Sequence, residues 1–127
     1  MIYLDASAIV TNVLERSNVA ALRRYLRDHS GVRLATSTFG LVETVRTCDR
    51  AGSFPKLMSR LIRDYSELKV TDEIRDRAAA LPGGLKTLDA FHVATAETLG
   101  DELVAFVTYD RRMANVAGSQ GLSVASP

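Results

Sequence analysis

Of the 15 acidic residues in the chain, four stand where a carboxylate can do chemistry. Asp5 follows the hydrophobic run Ile2-Tyr3-Leu4, and Asp110 follows Leu103-Val104-Ala105-Phe106-Val107-Thr108-Tyr109. An acid at the C-terminal tip of each of two strands suggests an oxygen-rich metal site at the carboxyl edge of a parallel sheet. Glu43 lies in a helical stretch rich in apolar positions, and Asp89 lies near the start of Leu88-Asp89-Ala90-Phe91-His92-Val93-Ala94. Each has an ordinary reading when taken alone. Asp89 suits the positive end of a helix. Asp5 and Asp110 suit caps or turns, and Glu43 suits a solvated helix face. Taken together they fit a cation site better. Close carboxylates raise each other's proton affinity, and a divalent ion removes that conflict. Oxygen donors suit magnesium or manganese, which bind phosphate oxygens and activate water. The lone Cys48 and the lack of a paired-histidine pattern argue against zinc.

The elements that must position these acids alternate between strand and helix. Ile2 to Leu4 reads as a buried strand, and Ser7 as a cap for a helix over Ala8 to Leu14. A helix from Asn18 to about His29 carries Val19, Leu22 and Leu26 as an apolar stripe. Val32 to Ala35 reads as a strand. Thr36-Ser37-Thr38 offers caps for a helix ending near Ala51-Gly52. Pro55 suits the start of a helix reaching Tyr65. Leu68 to Val70 reads as a strand, and Thr71 or Asp72 caps a helix to Ala80. After the Pro82-Gly83-Gly84 loop, Leu88 to Leu99 is a helix stopped by Gly100. Leu103 to Thr108 is the strongest strand, Asp110 to Ala117 a short helix and Leu122 to Ala125 a last strand. Such alternation implies right-handed crossovers and a parallel sheet covered on both faces.

Length sets one domain, residues 1–127, and a hydrophobic content of 46% is enough for one core. A net charge of +1 excludes a simple polycationic nucleic-acid binder but allows a basic face around an acidic pocket. One cysteine cannot form an intrachain disulfide, so a cytoplasmic setting is expected. No signal peptide or membrane span is expected from the sequence.

The acidic motifs carry a resemblance to a known family. Tyr3-Leu4-Asp5-Ala6-Ser7-Ala8, Ser37-Thr38-Phe39-Gly40-Leu41-Val42-Glu43, Leu88 to Ala96, and Phe106-Val107-Thr108-Tyr109-Asp110-Arg111-Arg112-Met113 occur in one order across the whole chain. This set resembles the PIN-domain ribonucleases, specifically the VapC-type toxins of bacterial type II toxin–antitoxin systems. Gly121 to Pro127 fits the family's usual ending. The resemblance implies a three-layer α/β/α sandwich around a short parallel sheet. It implies an acidic quartet of Asp5, Glu43, Asp89 and Asp110 holding Mg2+ or Mn2+, with Asp5 and Asp89 as central ligands. Ser7 and Thr108 match polar positions that orient an acid or water. It also implies hydrolysis of RNA, either transfer or ribosomal RNA, leaving a 5′-phosphate and a 3′-hydroxyl. A VapB-like antitoxin and a homodimer are the implied partners. No fifth carboxylate follows Asp110 locally, where Arg111 to Asn115 stand.

An acidic site needs basic residues to guide a phosphate backbone. Arg46 and Arg50 fall on the helix face of Glu43, and Arg112 lies beside Asp110. These three are the preferred RNA contacts, ahead of Lys86 and Arg111. His92 shares a helix face with Asp89 and reads as a packed or hydrogen-bonded histidine in preference to a base. Tyr3 and Tyr109 read as sheet packing. Two other functions compete. A phosphomonoester hydrolase with Asp5 as nucleophile lacks the usual second acid, because Ser7 stands two positions later. A catalytically silent RNA- or protein-binding module leaves the quartet without a task. A receiver-like signalling domain explains the placement of Asp5 and Asp110 less fully.

Overall fold

The computed structural model describes residues 1–127. Five strands alternate with seven α-helices: β1 (Ile2–Leu4), α1 (Ala6–Leu14), α2 (Val19–Asp28), β2 (Leu34–Ser37), α3 (Thr38–Ala51), α4 (Leu57–Asp64), β3 (Ser66–Leu68), α5 (Asp72–Ala80), α6 (Thr87–Glu97), β4 (Ala105–Val107), α7 (Arg111–Ser119) and β5 (Val124–Ala125). A 3-10 turn at Gly100–Glu102 leads into β4. All strand pairs are parallel, in the order β3-β2-β1-β4-β5.

Side chains of neighbouring strand residues point to opposite faces, and the core divides accordingly. Ile2 and Leu4 of β1, with Ala105 and Val107 of β4, pack with Ile9, Leu22, Leu41, Leu57 and Leu61. Tyr3 and Phe106, the residues between, pack with Leu85, Ala90, Val93, Met113 and Ala117. The result is the expected α/β/α sandwich. Its strand order reverses direction at β1. The chain steps outward through β2 and β3, then returns to add β4 on the other side of β1. Such a switch point opens a crevice at the carboxyl ends of the two strands, where ligands bind in open α/β sheets. Asp5 ends β1 there, and Thr108 to Asp110 follow β4.

Several boundaries differ from the sequence reading. Asp5, not Ser7, caps α1: its Oδ1 accepts the Ala8 N–H at 3.0 Å. β2 lies at Leu34–Ser37, because these residues pair with β1 on one side and β3 on the other. β3 correspondingly ends at Leu68, and Val70 is exposed. Pro55 sits in the turn before α4.

Gly40 lets α3 lie close to the sheet. A Cβ there would collide with Thr36 Oγ1 and stand 3.2 Å from His92 Cε1. Thr36 Oγ1 has little freedom to retreat, since it donates to the Leu4 carbonyl at 2.7 Å. In Gly40→Ala the helix propensity gain of about 1 kcal/mol is outweighed by overpacking of about 1–3 kcal/mol. A lower Tm than wild type is the expected result. An unchanged or higher Tm would mean that the contact is soft.

Candidate active site

Asp5 is 1% exposed and its carboxylate is clasped by hydroxyls. Ser7 Oγ lies 2.7 Å from Oδ1 and 2.9 Å from Oδ2, so its single hydrogen is shared between them. Thr108 Oγ1 donates to Oδ2 at 2.6 Å. Both hydroxyls are themselves fixed from the β4 side. The Tyr109 N–H donates to Ser7 Oγ and the Asp110 N–H to Thr108 Oγ1, each at 3.0 Å. The ends of β1 and β4 are thus laced together through one carboxylate. Burial pushes the Asp5 carboxyl above the usual carboxylate range. The electrostatic influence of His92 and the bonds from Thr108, Ser7 and the Ala8 N–H pull it back in part.

Asp89 lies in the first turn of α6 and is half-buried. Its carboxyl is raised first by burial and next by the negative charge of Asp110. Glu43 and Asp5 add to the rise, and His92 opposes it. The four predicted acids therefore share one electrostatic neighbourhood, with Asp89 feeling the other three. None of them pairs with a lysine or arginine. The ion pairs of the chain lie elsewhere, apart from the contact of Glu43 with His92. Asp110 caps α7, accepting the Met113 N–H at 2.9 Å.

Glu43 is held differently. Its Oε1 meets His92 Nε2 at 2.9 Å, and Nδ1 of that ring meets the Tyr3 hydroxyl at 2.7 Å. The Tyr3 ring stacks on Phe106 with centroids 5.4 Å apart. Tyr3 thus packs the sheet, as its alternation predicts, and also carries a polar contact that the sequence reading missed. Residue separations of 89 and 49 leave no local signal for this chain of contacts.

The predicted basic residues divide. Arg46 and Arg50 line a groove of about 420 Å3 with Glu43, Phe39, Val42 and Leu88. Arg112 instead donates to the Gly84 carbonyl at 3.2 Å, bracing α7 against the loop before α6. Arg111 and Tyr109 line a separate, polar cavity near Pro127.

Uncompensated carboxylates fit a hard divalent cation in charge and donor chemistry. They are not drawn into a cage, since no three His, Cys, Asp or Glu side chains are grouped as a ready metal site.

A parallel α/β/α sandwich with aspartates at its switch point is the architecture that the acidic motifs anticipate. Residues 2–119 match the family model of the PIN domain, and the chain belongs to the PIN-domain family. Within that family it is homologous to VapC-type ribonucleases. It is 40% identical to Ribonuclease VapC46 of Mycobacterium tuberculosis (strain ATCC 25618 / H37Rv), over 99% of this chain and 97% of the relative. The crystal structure of Mycobacterium tuberculosis VapC20, a sarcin–ricin loop cleaving toxin, matches at a TM-score of 0.77 with 17% identity, over 100% of both chains. VapBC-1 from nontypeable Haemophilus influenzae matches at 0.69 with 16% identity, over 99% of this chain and 98% of that one. At such identities these two structures speak for the fold.

Proposed function

We propose that residues 1–127 form one nuclease domain that hydrolyses RNA phosphodiester bonds with Mg2+ or Mn2+, and that it acts as a toxin restrained by a VapB-like antitoxin. The observation that supports the chemistry is that Asp89 feels the negative charges of Asp110, Glu43 and Asp5 while none of the four pairs with a lysine or arginine. A group whose proton affinity is raised by negative neighbours has its affinity for other cations raised by the same cause. Magnesium needs no closed protein cage, because it keeps several waters and takes one or two carboxylates plus phosphate oxygens. Kinship to the ribonuclease VapC46 supports the toxin–antitoxin setting.

Each residue has a part in the proposed reaction. Asp5 and Asp89 would hold the cation, with Glu43 and Asp110 binding it directly or through water, and the Ser7–Thr108 clasp keeps Asp5 from turning. The chemistry a bound ion would supply is a lowered pKa for a nucleophilic water and an offset of charge on the phosphate. Glu43 or Asp110 would orient the attacking water and take its proton. Arg46 and Arg50 draw the RNA backbone along the groove beside Glu43. Water as attacker makes the RNA 2′-hydroxyl unnecessary, so products carry a 5′-phosphate and a 3′-hydroxyl. A homodimer and a cytoplasmic setting complete the reading. No helix is long and apolar enough to cross a membrane.

The decisive experiment incubates purified protein and its Asp5→Asn variant with total RNA in Mg2+, Mn2+ or chelator, and maps the ends. Cation-dependent cuts with 5′-phosphate ends, lost in the variant, are expected. RNA that is bound but never cut in either ion would leave a silent binding module. Arg46→Ala tests the backbone track separately. It should weaken RNA binding at low salt and lower the salt slope of log K by about one, read by fluorescence anisotropy. An unchanged slope would remove Arg46 from the RNA path.

A further inference from the structure

We infer that His92 is a positioning residue: the Tyr3 hydroxyl fixes its tautomer, and its Nε2–H in turn orients the Glu43 carboxylate within the acidic site. This rests on the reading of Glu43 as part of a cation site. Asp5 is immobilised on both oxygens by neighbours close in the fold, but Glu43 stands on a long side chain, 32% exposed, on α3. Its one hydrogen-bond partner in the protein is His92, reached through Oε1. Oε2 is left without a protein partner and is available to a cation or its water.

The proton positions follow from what each partner can do. An ionised carboxylate only accepts, so Nε2 carries the hydrogen. In the neutral ring Nδ1 is then the acceptor and takes the Tyr3 O–H at 2.7 Å. Both Tyr3 and His92 are sealed in the core, at 0% and 1% exposure, and no solvent competes for these bonds. Tyr3 is stacked on Phe106, and His92 meets it edge-on at 73°. Gly40, whose added Cβ would stand 3.2 Å from His92 Cε1, gives the ring room beneath α3. The chain therefore runs from the sheet interior, through α6, to a carboxylate on α3. Partners of this kind, which fix a ligand's orientation from outside the coordination sphere, typically change metal affinity about 10–100-fold when removed.

The test uses the full-length wild type with Tyr3→Phe, His92→Gln and His92→Leu. Mn2+ affinity is read by calorimetry and the imidazole tautomer by nitrogen NMR. Wild type should show the Nε2–H tautomer. Tyr3→Phe should mix the tautomers and raise the Mn2+ Kd by about tenfold, and His92→Leu should raise it by about 10–100-fold. His92→Gln, whose amide N–H reaches the Nε2 position, should stay within about threefold of wild type. An Nδ1–H tautomer in wild type would overturn the inference. So would wild-type affinity in Tyr3→Phe, which also decides the matter if His92→Leu does not fold. If wild type itself takes up no Mn2+, the metal-nuclease reading falls, an outcome distinct from equal affinities across the variants.

Discussion

Asp89→Asn should abolish RNA cleavage and at the same time raise the Tm of the metal-free protein at neutral pH. The two effects come from one cause. Burial and the charges of Asp110, Glu43 and Asp5 hold the Asp89 carboxyl above its ordinary value of 3.8. A carboxyl raised in the folded state adds stability that is fully present below its unfolded pKa and is lost as pH rises through the folded pKa. At neutral pH the metal-free protein therefore carries an unfavourable charge, and asparagine removes it. The position of Asp89 in the first turn of α6 works the other way, because a helix start favours an acid by about 0.3–1 kcal/mol. The expected rise in Tm takes burial and the three neighbouring charges together to outweigh that benefit. The gain in Tm should vanish at pH values below the ordinary carboxylate range and grow as pH rises. Mn2+ should close the gap by stabilising wild type alone. Loss of one charged group that holds the reacting centre should cost turnover about 100-fold or more. A lower Tm for Asp89→Asn at pH 7.5 without metal would show that Asp89 is a structural helix-start acid and nothing more.

That pairing of lost function with gained stability could not be read from any one segment. The strand-tip acids were legible, because a short apolar run ending in Asp is a local pattern, and β1 and β4 each deliver one. The helix around Asp89 was legible from its apolar spacing and the Gly-rich loop before it. What escaped was long-range and polar. Ser7 has the side chain of a cap, but Asp5 takes the cap itself, and Ser7 instead bridges to the Tyr109 N–H across the sheet edge. Tyr3 reads as sheet packing because its ring does fill the sheet. Its hydroxyl finds His92 only after α6 has packed beneath β1. Two short strands lie two residues from their expected positions for a related reason. Residues 32–37 and 66–70 are apolar enough for several pairings, and β2 is fixed by partners on both sides. The Arg112–Gly84 contact is invisible to charge patterning, since a backbone carbonyl carries no sequence signal.

Thr108→Val should be the most destabilising isosteric change in the site. Thr108 is fully buried, and its hydroxyl both donates to Asp5 Oδ2 at 2.6 Å and accepts the Asp110 N–H at 3.0 Å. Valine fills the same space but satisfies neither group. A hydrogen bond to a charged acceptor is worth about 1.5–3 kcal/mol, and the part-buried Asp110 N–H left without its partner adds up to about 1 kcal/mol, since water can reach it in part. A net loss of about 2–4 kcal/mol in urea unfolding is expected. Thr108→Ser keeps the hydroxyl and should lose only about 1 kcal/mol, the value of one buried methyl. The sign of the pH dependence separates this from simple packing. The Thr108 bond favours ionised Asp5, so its contribution is present above the raised pKa of the folded carboxyl and fades as pH falls through it. The valine variant should therefore lose more stability at pH 7 than at pH 3.5. Freed from one side of its clasp, Asp5 should also hold its cation less well, lowering cleavage about 10–100-fold. Equal midpoints for the valine and serine variants at both pH values would mean that the hydroxyl lacing between β1 and β4 contributes nothing, and Asp5 would then be positioned by the α1 cap alone.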